Sequence, residues 1–127
     1  MPKTVRRAFV SLGMHEMGIA TSVLDAAQNE AKRHPGSKLL KVGLLIGEWS
    51  GVDPDSLRFC FEALVLGSED APLLEIEVRS RQNRCTACGT VFALKDFQTD
   101  CPNCAAATTE PVSGTELELA YVELEEP

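Results

Sequence analysis

The sequence predicts an α+β fold: two helices on one face of a three-stranded sheet, with a small cysteine module inserted in one of its connections. Three observations lead there. Two stretches carry apolar residues at three- and four-residue steps, the period of a helix. Three others alternate apolar and polar residues, the period of a strand. Between the second and third strands lie two Cys-x-x-Cys pairs, Cys85-Thr86-Ala87-Cys88 and Cys101-Pro102-Asn103-Cys104. That module is too small to offer a core, so the third strand must return to the sheet of the first two. The main domain is then discontinuous, residues 14–81 with 113–127, and the module occupies 82–112.

The first helix starts near Met14, with Met17, Ala20, Leu24, Ala27 and Ala31 in its apolar row and Val23 widening it. Gln28, Asn29, Glu30, Lys32 and Arg33 face outward or end it. His34-Pro35-Gly36 stops it, and His34 suits the negative end of the helix better than a metal. Leu40, Val42, Leu44 and Ile46 mark the first strand, closed by Gly47-Glu48-Trp49-Ser50-Gly51. Asp53-Pro54 opens the second helix as cap and first helical residue. Its apolar face is Leu57, Cys60, Phe61 and Leu64, with Val65 beside it, and Cys60 reads as a small buried hydrophobe. Leu74, Ile76 and Val78 form the second strand. In the third, Leu117 and Leu119 are followed by Val122 and Leu124, a phase slip at Ala120-Tyr121 that predicts a bulge.

Composition excludes several classes. The chain has 127 residues, 44% apolar, enough for one domain plus a metal-nucleated module. Its net charge of −7 opposes general binding to nucleic acid or an anionic membrane, and no apolar run is long enough to span one. Thiol pairs without a secretory signal point to a reducing, cytoplasmic setting. Residues 1–13 stand apart: Lys3, Arg6 and Arg7 make them +3, against −10 for the rest. They read as a basic N-terminal extension, either a disordered arm or a misassigned start.

Two thiolate pairs complete a tetrahedral four-sulfur shell, the usual holder of structural zinc. Gly89 after Cys88 eases the first turn. Ala105 occupies the same place after Cys104, where a left-handed backbone would cost about 1–2 kcal/mol. A closed shell is a poor catalyst, so the module is a docking scaffold or a fold staple. Redox chemistry lacks a βαβ context. Nucleic-acid binding lacks a basic stripe, since Arg81, Arg84 and Lys95 are balanced by Asp96, Asp100 and Glu110.

A second constellation is Met14-His15-Glu16-Met17. Were Met14 the first residue, its amine, the His15 amide and the His15 imidazole could bind one metal in adjacent chelate rings, a set suited to Ni(II) or Cu(II). On composition alone, an exposed first helical turn is the simpler reading.

Further stretches recur in the same order: Met14-His15-Glu16-Met17-Gly18-Ile19-Ala20, Ile46-Gly47-Glu48-Trp49-Ser50-Gly51-Val52, Pro54-Asp55-Ser56-Leu57, the paired ribbon, and Gly114-Thr115-Glu116-Leu117. Together they resemble the HypA/HybF family of hydrogenase maturation factors over about residues 14–125. The resemblance implies a nickel metallochaperone and not an enzyme, delivering Ni²⁺ to the large subunit of [NiFe]-hydrogenase. It implies nickel on His15 with Glu16 beside it, and structural Zn²⁺ on Cys85, Cys88, Cys101 and Cys104. Implied partners are a HypB-like GTPase, the hydrogenase large subunit and, for some relatives, urease maturation proteins; a weak homodimer is also an expectation. In the family the Met-His-Glu opening is the N-terminus, so the thirteen preceding residues favour a misassigned start. The competing reading is a zinc-ribbon adaptor without transferable metal.

Overall fold

β2 (Lys38–Gly47), which carries Val42, Leu44 and Ile46, is an inner strand of the main sheet, flanked on both sides. The computed structural model describes residues 2–6, 15–94 and 100–127. β1 (Pro2–Arg6), α1 (Glu16–Lys32), β2, α2 (Pro54–Val65), β3 (Leu73–Arg79) and β7 (Leu117–Glu125) build the main domain. β4 (Gln82–Cys85), β5 (Val91–Ala93) and β6 (Thr109–Ser113) form a separate three-stranded sheet in the order β5-β4-β6. The α+β class therefore holds, with an inserted ribbon.

The main sheet has four strands, in the order β1-β7-β2-β3. The fourth strand goes beyond the three expected: residues 2–6, read as part of a basic extension that is either a disordered arm or a misassigned start, pair antiparallel with β7 from Pro2↔Glu125 to Arg6↔Tyr121. Charge explains part of the affinity, since Lys3 Nζ lies 3.3 Å from a Glu126 carboxylate oxygen. Residues 7–14, Met14 included, lie outside the described residues. β2 and β3 are parallel, and α2 is the crossover that parallel strands need.

The core lies between the sheet and the two helices. Ile19, Ala20, Val23 and Ala27 of α1 and Leu57 and Phe61 of α2 cover Val42, Leu44, Ile46, Leu74, Leu119 and Val122. Helix α1 is turned relative to the expected stripe. Met17 is 47% exposed, whereas Ile19 and Glu30 are buried. The buried row runs 19, 23, 27, 30, and the alanines at 20 and 27 let α1 approach the sheet closely. Leu64 is also exposed, because α2 contacts the core mainly through Leu57 and Phe61. Asp53 caps α2 as expected, accepting from the Asp55 N–H at 3.1 Å.

The phase slip in β7 is a bulge. Gly43 faces Tyr121 while the next residue, Leu44, faces Leu119, leaving Ala120 as the extra residue. Leu119 and Val122 thereby both point to the core. The Tyr121 ring fills the place a Gly43 side chain would take, and its hydroxyl donates to Glu75 Oε1 at 2.8 Å.

The ribbon joins the main domain where the chain leaves β3 and returns to β7. Gly47 packs against the Gly114 backbone, and its N–H donates to the Glu116 carbonyl at 2.7 Å. The Arg81 guanidinium sits 4.7 Å from the Trp49 ring centroid and 3.4 Å from a Glu48 carboxylate oxygen. A methyl group on Gly47 would overlap Gly114 backbone atoms, which cannot swing aside as a side chain can. Gly47→Ala is expected to destabilise the protein by about 3 kcal/mol, read as a lower urea midpoint. An unchanged midpoint would show that the junction yields freely.

Candidate metal centres

Each Cys-x-x-Cys pair is held by a tight turn at one end of the ribbon. In the first, Gly89 N–H donates to the Cys85 carbonyl at 2.9 Å; in the second, Ala105 N–H donates to that of Cys101 at 2.8 Å. Matching contacts follow, Cys85 N–H to the Thr90 carbonyl and Cys101 N–H to that of Ala106. Gly89 has φ +78°, and Ala105 has φ +61°, the left-handed conformation its position predicted. Ala105→Gly should therefore stabilise the ribbon by about 1 kcal/mol, seen as slower zinc loss to a chelator. Unchanged or faster loss would contradict a strained knuckle.

The turns bring Cys85, Cys88, Cys101 and Cys104 together, with all four sulfurs within 4.8 Å of one another. Sγ–Sγ separations are 3.5 Å for Cys85 and Cys104 and 3.6 Å for Cys88 and Cys101. Tetrahedral Zn²⁺ with bonds of about 2.3 Å needs sulfurs about 3.8 Å apart, so the quartet fits that ion. Cys85 and Cys101 are buried, and Cys88 and Cys104 face outward.

Hydrogen bonds prepare the sulfurs for charge. The Cys88 N–H points at Cys85 Sγ (3.5 Å) and the Asn103 N–H at Cys101 Sγ (3.4 Å). The Thr90 hydroxyl and backbone, with the Asn103 amide, lower the Cys88 thiol to about 6. Cys104 goes the other way, to about 12: the Ala106 amide favours its thiolate, but the neighbouring sulfurs, Cys85 foremost, together with partial desolvation outweigh it. Four thiolates cannot all ionise side by side without a cation, and Zn²⁺ supplies the missing charge.

The other expected site lies at the start of α1. His15 is the N-cap residue, extended at φ −74° and ψ 161°, and its side chain makes no capping hydrogen bond. Its carbonyl accepts the first helical bond, from Ile19 N–H at 2.9 Å. The imidazole is exposed and, among the described residues, is not committed to capping. Glu16 follows in the first turn, where the helix dipole favours a carboxylate.

Helix α2 completes the surroundings, which the sequence order hid. His15, Glu16 and Met17 line a shallow depression of about 540 Å³ together with Asp55, Phe59 and Cys60 of α2. Cys60, expected as a buried hydrophobe, is only half-buried and borders this depression. The helical period of α2 puts Asp55, Phe59 and Cys60 on one side, but the pairing of α1 with α2 is a tertiary fact. Among the described residues, only the cysteine quartet gathers three or more side-chain ligands, so His15 and Glu16 lack a third. His34 stands beyond the other end of α1, with Nδ1 3.3 Å from Lys3 Nζ. No helix among the described residues is long and apolar enough to cross a membrane.

A family model described as hydrogenase/urease nickel incorporation, metallochaperone, hypA matches residues 14–124. The hydrogenase maturation factor HypA of Prosthecochloris aestuarii is 40% identical over 114 residues, covering 88% of this chain and all of its own length. That of Geobacter metallireducens is 40% identical with the same coverage. Among solved structures, the nickel metallochaperone HypA from Helicobacter pylori aligns with a TM-score of 0.59 at 24% identity, over 90% of this chain and 100% of its own. A second solution structure of a HypA protein aligns at 0.66 and 24%, over 91% and 99%. These structural alignments support the fold.

Proposed function

Because the chain belongs to the HypA family of hydrogenase maturation factors and nickel metallochaperones, we propose that His15 and Glu16 carry the Ni(II) that it delivers. One observation carries this reading: the exposed imidazole at the N-cap of α1, with a carboxylate beside it and, among the described residues, no third side-chain ligand. A chaperone must bind its metal yet release it, and an incomplete, exposed donor set leaves coordination positions open to a recipient. Backbone nitrogens and a recipient's side chains complete the set. The four cysteines of the ribbon, residues 82–112, hold Zn²⁺ as a closed site that takes no part in transfer.

The recipient is the large subunit of [NiFe]-hydrogenase. The chain has no phosphate-cradling Gly-rich loop, so nucleotide hydrolysis belongs to a HypB-like GTPase, and the chain itself is not an enzyme. Urease maturation proteins are a second class of partner, and thiol pairs serving as metal ligands suit work in a reducing cytoplasm. Equilibrium dialysis of the zinc-loaded protein against Ni²⁺ tests the reading. It should yield a second, weaker metal equivalent; zinc alone would favour an adaptor without transferable metal.

A further inference from the structure

Strand β1 covers an edge of the main sheet, and it comes from outside the segment that the family model matches. That match begins at residue 14, after β1. Without β1, the outer edge of β7 would present unpaired N–H and C=O groups over residues 121–125, a ready template for another strand. The edge is also acidic. Glu123, Glu125 and Glu126 follow one another along it. The strand that occupies it is basic, carrying Lys3 and Arg6, with Arg7 next in the chain. Lys3 Nζ meets Glu126 at 3.3 Å and also lies 3.3 Å from His34 Nδ1. Pro2 has no N–H and is tolerated at the first position of an edge strand, so it marks where pairing begins.

We propose that the outer edge of β7 is a docking site for a short, basic, extended peptide of a partner, and that residues 2–6 are its built-in occupant. Backbone pairing supplies the affinity, and the acidic edge selects the charge. A second copy of β7 fits worse, because its own acidic residues would face these. The built-in strand acts as a competitor: it must leave before a partner's strand can add to the sheet. Because it is tethered, its effective concentration is high and only a better-matched strand displaces it.

The shorter chain starting at Met14 tests this. It should fold, since the core cluster of the described residues draws on positions 19–124 and none from β1. A fluorescent peptide of residues 1–8, followed by fluorescence polarisation, should bind the shorter zinc-loaded chain at least about tenfold more tightly than the full chain. Added salt should weaken that binding, because the charge pairs are exposed. Reversing the charges of Lys3, Arg6 and Arg7 in the peptide should cost about tenfold or more. A peptide carrying Thr4→Pro and Val5→Pro should not bind, since whichever of the two N–H groups faces β7 is removed. In the full chain, those prolines should open the edge to the unmodified peptide. Equal binding by both chains, no binding by the shorter chain, undiminished binding of the proline peptide, or self-association of the shorter chain in place of peptide binding would overturn the proposal.

Discussion

His15→Ala is expected to remove nickel binding, with an affinity loss of at least about 100-fold, while leaving zinc content and helical signal intact. The loss should exceed the 10–100-fold typical of an outer-shell metal partner, because the imidazole is the single strong neutral donor among the side chains at this site. Stability should change by no more than about 0.5 kcal/mol, because the side chain is exposed and makes no capping bond. Nickel titration with circular dichroism at 222 nm reads both quantities. Glu16→Gln should weaken binding less, since it replaces a charged donor by a neutral one. A His15→Ala titration matching wild type would move the nickel site elsewhere.

Cys101→Ser should have the opposite pattern. Cys101 is buried, and its sulfur has Cys88 Sγ at 3.6 Å and the Asn103 N–H at 3.4 Å. Losing one of four ligands forfeits much of a binding energy of roughly 10 kcal/mol or more, which is also the folding energy of such a module. The ribbon should unfold and release zinc, detected with a colorimetric chelator. The helices should persist, because the main core cluster contains no residue from the ribbon. Complete loss of the 222 nm signal would show instead that the two sheets fold as one unit.

Acid should act on the same module. Cys88 is held below the ordinary thiol range by Thr90 and Asn103, to about 6. A depressed folded value means that the thiolate's contribution is fully present above the unfolded value and is lost as pH falls through the folded one. Zinc retention should fall progressively on acidification, because protons compete with Zn²⁺ for the thiolates, and a chelator assay across a pH series reads the release.

Much of the fold was legible because it rests on short-range rules. Asp53-Pro54 announced the start of α2, the slip at Ala120-Tyr121 announced the bulge, and the cysteine spacing announced the ribbon, even to the left-handed Ala105. The misses lie where long-range contacts override local pattern. Periodicity counts apolar residues and so put Met17 in the α1 stripe and Glu30 outside it. Burial is set instead by which row of α1 faces α2 and the sheet, and that row runs through Ile19 and Glu30. Likewise β1 carries little apolar signal, because an edge strand is held mainly by backbone pairing with a partner far along the chain.

The four-sulfur site, the histidine that opens α1, and the family to which both belong could be read from residue order alone. Each is encoded within a few residues, where spacing decides geometry. Packing of distant elements put Asp55, Phe59 and Cys60 of α2 beside His15, set Gly47 against Gly114 at the ribbon junction, and closed the β7 edge with residues 2–6. Those are contacts between segments distant in the chain. They depend on how whole elements pack, and no local pattern of residue types carries that information.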